Sequence, residues 1–287
     1  MQLGVVFPQT EIGADVAVIR DYTQTAEGLG YSYLLAYDHV LGANPERPGG
    51  WRGPYTFESQ FHEPFTLFSY LAAITQQVEF VTGILILPQR QTALVAKQVA
   101  QLDLLSGGRV RLGIGIGWNP VEYEALNQDF SNRGKRSEEQ VLVLRELWTK
   151  PLVTFEGEYH TIRDAGLNPL PVQRPIPIWF GGGADAVLKR MARLGDGWMP
   201  NTMSFEKTAV MVEKLHTYLA EAGRDPRDFG LDIRISLNRH PRGEWAETVQ
   251  MWQDFGATHL SINTMGSDLT PQEHIAAISE FKAALDG

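Results

Sequence analysis

The chain has 287 residues, 43% of them hydrophobic, so it is long enough for one large domain with a sizeable core. Its formal net charge of −9 argues against nucleic acid as a main partner, because phosphate binding depends on clustered Lys and Arg. It contains no cysteine, which excludes disulfides, thiolate nucleophiles and Cys-ligated metals, and no apolar run approaches the ~18 residues that span a membrane.

The first half of the chain alternates short apolar runs with amphipathic stretches. Met1-Gln2 leads directly into the first strand without a charged leader, so we expect a cytoplasmic protein. Asp15 is placed to cap the first helix, and Thr92 to cap the helix after the third strand, which Gly107-Gly108 ends. The apolar residues expected on the buried face of that helix are Leu94, Val95, Val99, Leu102 and Leu105. The predicted strands are 3–7, 31–36, 78–87 and 110–114, and the predicted helices are 15–28, 63–74, 93–105, 120–127 and 131–148.

Two segments interrupt this alternation. Residues 41–62 are rich in Gly, Pro, Arg and aromatics, and a loop longer than ~12–15 residues in a compact domain is usually a lid or a binding loop. Residues 153–176 read as a hairpin insertion that turns at Glu156-Gly157 and continues into a Pro-punctuated connection.

The second half repeats the pattern, with predicted strands 177–180, 195–199, 229–235 and 258–262, and predicted helices 184–194, 205–222, 244–255 and 271–285. Eight strands then alternate with helices, without a linker or an internal repeat. A doubly wound sheet is less favoured, because no Gly-rich fingerprint follows the first strand. We therefore predict an α/β fold, a single-domain (β/α)8 TIM barrel over residues 1–287, with its chemistry at the C-terminal ends of the strands.

The predicted strand ends carry Gly, Asn, aromatics and one histidine, His39. No lysine ends a strand, which argues against a Schiff-base aldolase. No His-x-His pair or carboxylate cluster stands there, so no metal is expected. This composition suits a large flat cofactor held by backbone groups, with the protein supplying orientation and one proton.

Four motifs, taken together in this order, are specific enough to indicate a protein family: LLAYDHVLG, TGILILPQRQTALVAKQVAQLDLLSGGRVRLGIGIGWNPVEYEALN, RGKRSEEQVLVLRELW and PIPIWFGGGADAVLKRMARLGDGWMP. Together they resemble the luciferase-like monooxygenase superfamily, and within it the branch that depends on the deazaflavin coenzyme F420. The resemblance covers roughly residues 3–200. It implies the (β/α)8 barrel, a flavin-type ring across the strand ends, a homodimer, and a flavin or F420 reductase as electron source.

The resemblance also implies roles for individual residues. Asp38 and His39 match an Asp-His pair beside the ring, with His39 as the catalytic candidate. Gly83 and Ile84 match a non-prolyl cis peptide behind the ring, so we predict that this bond is cis. The remaining cofactor-binding candidates are Gly115 and Gly117, where the backbone approaches the ring, Asn119 at a polar edge, and Gly181, Gly182, Gly183 and Ala184 in a phosphate-side loop.

One residue departs from the family pattern. The sugar-phosphate dehydrogenases of this branch carry a catalytic Glu after the glycine motif, where this chain has Trp118, which argues against glucose 6-phosphate oxidation. Three functions stay open. The first is F420-dependent hydride exchange with a small organic substrate under a lid formed by residues 41–62. The second is an FMN-dependent monooxygenase that uses reduced flavin and O2, and the third is a non-catalytic flavin-binding barrel.

Overall fold

A computed structural model describes residues 1–201 and 204–286. The helices are α1 (Val16–Gly28), α2 (Pro64–Ala73), α3 (Thr92–Ser106), α4 (Pro120–Ala125), α5 (Arg133–Thr149), α6 (Asp185–Leu194), α7 (Phe205–Glu221), α8 (Trp245–Phe255) and α9 (Pro271–Asp286). The strands are β1 (Gln2–Val6), β2 (Tyr33–Ala36), β3 (Glu79–Thr82), β4 (Leu85–Ile86), β5 (Val110–Gly115), β6 (Val153–Glu156), β7 (Thr161–Ala165), β8 (Ile178–Gly181), β9 (Gly197–Met199), β10 (Gly230–Ser236) and β11 (His259–Asn263). Over this part of the chain, each helix is too short or too polar to cross a bilayer.

The strands close into a parallel barrel, as predicted. The hydrogen-bonded order is β3-β2-β1-β11-β10-β9-β8-β5, and β3 pairs with β5 to complete the ring of eight. Strand β4 continues from β3 and also pairs with β5. The predicted hairpin is the antiparallel pair β6 and β7, which lies outside the barrel.

The predicted third strand, residues 78–87, is divided in the structure. It forms β3 and β4, and the peptide bond between Gly83 and Ile84 that separates them is cis, which confirms that prediction. Leu87 falls in a short 3-10 turn that continues to Gln89.

Two helix caps agree with the sequence and one does not. The Asp15 side chain accepts a hydrogen bond from the backbone N–H of Ala17 at the start of α1, and Gly107 ends α3 with a φ of 73°. Thr92 is the first residue of α3 and does not cap it. Its hydroxyl lies 2.6 Å from His160 Nε2 and accepts from Gln140 Nε2 at 2.9 Å, so these neighbours occupy the group that was expected to cap the helix.

The expected buried face of α3 was also partly wrong. Val95, Val99 and Leu102 are buried, but Leu94 and Leu105 are 51% and 57% exposed. Residues eleven apart lie on one side of a helix, since ~3.6 residues make a turn. Because α3 packs between α2 and α5, the side that carries Leu94 and Leu105 faces outward.

A charged layer closes the lower half of the barrel. Arg111 lies 3.1 Å from Glu79 and 3.3 Å from Asp232, and the Tyr33 hydroxyl donates to Asp232 at 2.8 Å. The guanidinium stacks against the rings of Tyr33 and Trp179, at 4.6 and 4.4 Å. Burial favours the neutral form of Asp232 and raises its pKa, although Arg111 and Tyr33 oppose the shift. The barrel is thus filled below, and its open space lies at the C-terminal ends of the strands.

Candidate active site at the mouth of the barrel

A cavity of about 610 Å³ occupies the mouth of the barrel. This volume falls within the ~300–1,000 Å³ typical of small-molecule and cofactor sites. Of the predicted site residues, Asp38, His39, Gly83, Ile84, Gly115, Gly117, Gly181 and Gly182 line this cavity. Asn119 lines an adjoining cavity of about 250 Å³, which shares His39 and Tyr55 with the first. Gly183 and Ala184 line neither cavity and lead into α6.

The glycines at the ends of β5 and β8 make room for Ile84. A Cβ at Gly115 would lie 1.8 Å from Ile84 Cδ1, and a Cβ at Gly181 would lie 2.8 Å from Ile84 Cγ2. Ile84 itself is half-buried and lines the cavity. These two glycines therefore allow the Ile84 side chain to pack against the backbone at the ends of β5 and β8.

His39 is held by a buried carboxylate that sequence analysis missed. Its Nδ1 lies 3.3 and 3.4 Å from the two oxygens of Glu122, whose side chain is 1% exposed. The same carboxylate accepts from the backbone N–H of Val40 at 2.7 Å and of Leu41 at 3.3 Å. Burial acts to raise the pKa of Glu122, but the contacts with His39 and the two N–H groups outweigh burial and lower it.

Asp38 bonds to the protein rather than standing free. Its carboxylate accepts from the backbone N–H of Ile86 at 2.9 Å and from Arg90 Nη2 at 2.7 Å. Arg90 also contacts Glu63 at 3.0 Å, and the two carboxylates raise its pKa despite burial, which alone would lower it. Asp38 thereby ties the end of β2 to β4 while it borders the cavity, and its role toward a cofactor stays a prediction.

Aromatic side chains from residues 41–62 surround His39. The ring centroids of Tyr55 and Phe61 lie 5.0 and 4.7 Å from the imidazole, and the Trp118 centroid lies at 5.8 Å. Trp51 packs on Trp118 at 5.6 Å and donates its indole N–H to the carbonyl of Tyr55 at 2.7 Å. The segment predicted to form a lid thus covers the histidine, and Trp118 completes the aromatic wall.

The opposite wall, from β9 to β11, is polar and carries a further residue that sequence analysis did not select. Arg234 lines the cavity with its guanidinium 5.0 Å from the centre of the Tyr37 ring, near Asn201, Ser236 and Asn263. Residues of a strand alternate between faces, so Arg234 points into the barrel as Asp232 does. This alternation along the predicted strand could have identified Arg234 from the sequence. Across residues 1–201 and 204–286, no group of three or more His, Asp or Glu side chains is placed to hold a metal ion.

The predicted phosphate-side loop is shaped by its neighbours. Gly182 has a φ of 95°, and its carbonyl accepts from the Trp198 indole at 2.6 Å. Asp185 opens α6, and its carboxylate contacts Lys214 at 2.5 Å and Lys189 at 3.0 Å, with Tyr218 donating at 2.6 Å. Hydrogen bonds from these groups lower the pKa of Asp185.

Comparison with known proteins gives a family match over most of the chain. The family described as luciferase-like monooxygenase matches residues 1–283. An uncharacterised protein of Mycobacterium tuberculosis is 33% identical over 276 residues, covering 92% of this chain and 93% of the relative. The FMNH(2)-dependent dimethylsulfone monooxygenase of Pseudomonas putida is 30% identical, covering 73% of this chain and 55% of the relative.

Two further similarities come from a dehydrogenase sequence and a solved structure. The F420-dependent glucose-6-phosphate dehydrogenase of Intrasporangium calvum is 30% identical over 259 residues, covering 83% of this chain and 70% of the relative. The structure of monooxygenase RslO1 from Streptomyces bottropensis superposes with a TM-score of 0.79 at 19% identity, covering 99% of this chain and 98% of that one. The structural likeness supports the barrel fold.

Proposed function

Because this chain belongs to the luciferase-like monooxygenase family, an enzyme family with F420- and FMN-dependent members, we propose that it is an F420-dependent oxidoreductase acting on a small organic substrate. The observation that carries the proposal is the position of His39. It borders both the 610 Å³ and the 250 Å³ cavity, with Glu122 behind it and the aromatic lid above it. One proton-transfer group between two adjoining spaces suits a site that brings a ring cofactor and a substrate together.

The residues present fit a ring cofactor of this kind. The wall between β3 and β8 carries Gly83, Gly115, Gly117, Gly181 and Gly182, with the Ile84 side chain packed over Gly115 and Gly181, so a ring would meet a mainly apolar surface. These residues, with Asp38 and His39, would hold the ring, while Gly183 and Ala184 would lie on its phosphate side and Asn119 near the substrate. When bound, the deazaflavin supplies hydride exchange at its C5.

His39 orients the substrate and moves a proton at the substrate's reacting atom. Because Glu122 engages Nδ1, the nitrogen left for the substrate is Nε2. A carboxylate at Nδ1 fixes the ring orientation and favours the tautomer with its proton on that nitrogen. The lid residues Tyr55 and Phe61 restrict water around this group.

A second candidate is an FMN-dependent monooxygenase that takes reduced flavin from a partner reductase and uses O2. The similarity to the Pseudomonas putida enzyme favours this candidate, and a phosphate-side loop would serve either cofactor. In both cases a separate reductase would supply the electrons.

The two candidates are separated by titrating purified protein with F420 and FMN in parallel while following tryptophan fluorescence. Trp118 and Trp51 lie against the site, so a bound ring will quench them. We expect F420 to bind at least tenfold more tightly. Tighter binding of FMN would replace the first candidate by the second, and binding of neither would refute both. A cofactor that binds but supports no turnover across a broad panel of alcohols, ketones and acids would favour a non-catalytic barrel.

We also propose that the protein is a homodimer that uses the outer side of α3. Leu94 and Leu105 are both more than half exposed and share that side of the helix. Because about half of each side chain is already covered, burying the rest is favourable by roughly half of the ~1.5–3 kcal/mol that full burial contributes. Sedimentation of the Leu94→Glu, Leu105→Glu variant should show monomers where the parent sediments as a dimer. The control Val210→Glu, at a position 66% exposed on α7, should leave the parent's state unchanged, and an unchanged state in both variants would rule out this face.

A further inference from the structure

Arg234 is a half-buried cation without a carboxylate partner among the described residues. It lines the main cavity from β10, and its Nε is buried and has no hydrogen-bond partner in the described chain. A buried guanidinium normally finds an acceptor, because its N–H groups lose their water. Because Arg234 also lines the cavity, its guanidinium is placed to bind a ligand there.

The carboxylates of Asp232, Glu79 and Glu11 are already engaged by other groups. Asp232 uses one oxygen for Arg111 at 3.3 Å and the other for the Tyr33 hydroxyl at 2.8 Å, and Glu79 also contacts Arg111. Glu11 lines the cavity too, but it accepts from Gly266 N–H at 2.6 Å and lies 3.1 Å from His274. A ligand that enters from the mouth meets Arg234 before it reaches this acidic layer.

We propose that Arg234 binds a carboxylate of the substrate, so that the substrate is a small organic acid. This rests on the proposed function for the place of the cofactor ring, which leaves the β9 to β11 side to the substrate. The planar guanidinium matches a carboxylate with two parallel hydrogen bonds, and the Tyr37 ring at 5.0 Å holds it in place. Asn263 and Ser236 add uncharged polar groups beside it, and Arg239 at the rim adds positive charge that attracts an anion.

Arg234 and His39 line the same cavity of about 610 Å³, a volume that suits a small molecule. Tyr55 packs on His39 with ring centroids 5.0 Å apart, and it also lies close enough to Tyr37 and Arg234 for both to affect its pKa. Burial chiefly raises that pKa, Tyr37 raises it further, and Arg234 opposes the rise. A molecule anchored at Arg234 therefore occupies the same cavity as the His39 imidazole, with Tyr55 near both residues.

The test compares probes that differ only in charge. Binding of benzoate and of neutral benzamide to the full chain is measured by ligand-detected NMR at constant ionic strength, with phenyl phosphate as a third probe. The variants are Arg234→Met, which removes the charge, and Arg234→Lys, which keeps the charge but cannot form two parallel hydrogen bonds to a carboxylate. The control is Arg227→Met, an exposed arginine that pairs with Asp225 before β10. Each variant is also titrated with F420 and FMN.

We expect the parent and the Arg227→Met control to bind benzoate roughly tenfold or more tightly than benzamide, as a charge-assisted hydrogen bond implies. In Arg234→Met the affinities for benzoate and benzamide should differ by no more than about twofold, and in Arg234→Lys the preference for benzoate should be intermediate. Cofactor affinity should persist in both variants. The proposal is overturned if the parent shows no preference, if phenyl phosphate binds more tightly than benzoate, or if Arg234→Met keeps the preference. Parallel loss of cofactor affinity in Arg234→Met would also overturn it, because Arg234 would then serve the ring. Should the parent bind neither cofactor yet prefer benzoate, the proposed function fails while the acid site stands.

Discussion

Replacing Glu122 by Gln should slow turnover without removing the cofactor site. The amide oxygen can still accept from the backbone N–H groups of Val40 and Leu41, which lie 2.7 and 3.3 Å from the native carboxylate. That oxygen also lies 3.3 Å from His39 Nδ1, but the other oxygen, at 3.4 Å, becomes an NH2 group that cannot accept a hydrogen bond. The imidazole then loses the negative charge and one of the two acceptor atoms that fix its orientation and tautomer.

The expected losses of stability and of turnover in Glu122→Gln follow from the contacts of the carboxylate. Hydrogen bonds to a charged group contribute about 1.5–3 kcal/mol and neutral ones about 0.5–1.5 kcal/mol, so Glu122→Gln should lower the free energy of unfolding by about 1–2 kcal/mol. A general acid or base contributes about 10²–10⁴-fold in rate, and a misaligned one keeps part of that effect. We therefore expect turnover to fall by roughly 10–100-fold while cofactor affinity stays within about twofold.

The stability difference should also depend on pH. Glu122 has a pKa lowered in the folded protein from its usual value of 4.5, so the unfolded chain takes up the proton first as the pH falls. The stabilisation from the ionised carboxylate is complete above pH 4.5 and is lost as the pH falls through the lowered folded-state pKa. The parent and Glu122→Gln should thus differ most near neutral pH and converge in acid.

Urea unfolding at several pH values, and steady-state rates once a substrate is known, measure these quantities. The comparison variant is His39→Asn, in which the proton-transfer group itself is missing. If Glu122→Gln turns over at the parent rate while His39→Asn does not, Glu122 does not position His39. If the parent and the variant unfold alike at neutral pH, the carboxylate does not stabilise the fold in the way described.

Three further predictions concern the same region. His39→Asn should melt near the parent temperature and bind cofactor normally but turn over about 10²–10⁴-fold more slowly, and near-normal turnover would remove His39 from the chemistry. Shortening residues 42–59 should impair turnover more than cofactor affinity, and a selective loss of cofactor binding would refute the substrate-side lid. Gly115→Ala should destabilise by about 0.5–1.5 kcal/mol, because its Cβ would lie 1.8 Å from Ile84 Cδ1 and force that side chain from its position, whereas Gly28→Ala in α1 meets nothing within 4 Å and should not lower the urea midpoint.

Periodicity predicted the barrel because its strands are buried on both faces and its helices on one. Val110 to Ile114 is apolar at most positions, and each predicted strand has an observed counterpart within a few residues. The errors arise where a tertiary contact competes with a local preference. Thr92 has the side chain of a capping residue, but Gln140 and His160 bind its hydroxyl. Leu94 has the side chain of a core residue, but its side of α3 faces away from the sheet.

Site residues on a strand or directly after it could be predicted from the sequence. A residue that joins the site only through the packing of a helix could not. His39 was predictable because it follows the end of a predicted strand, and Arg234 because it alternates with Asp232 along another strand with a period of two. Glu122 lies on α4, next to Tyr123 and Glu124, and nothing local marks it as the carboxylate that turns inward. Its partner is 83 positions away in the chain, a pairing that appears only when α4 packs against the end of β2.

The Glu122 contact also changes what Trp118 means for the chemistry. The family resemblance places a catalytic Glu at that position in sugar-phosphate dehydrogenases, so Trp118 argued against glucose 6-phosphate oxidation. The structure supplies a carboxylate four positions later, but its side chain is 1% exposed and its oxygens are bound by His39 and two backbone N–H groups. A carboxylate in that setting stays ionised and does not meet the substrate, so its effect passes through the imidazole. In the proposed function, proton transfer therefore falls to His39, and Trp118 serves as an aromatic wall beside it.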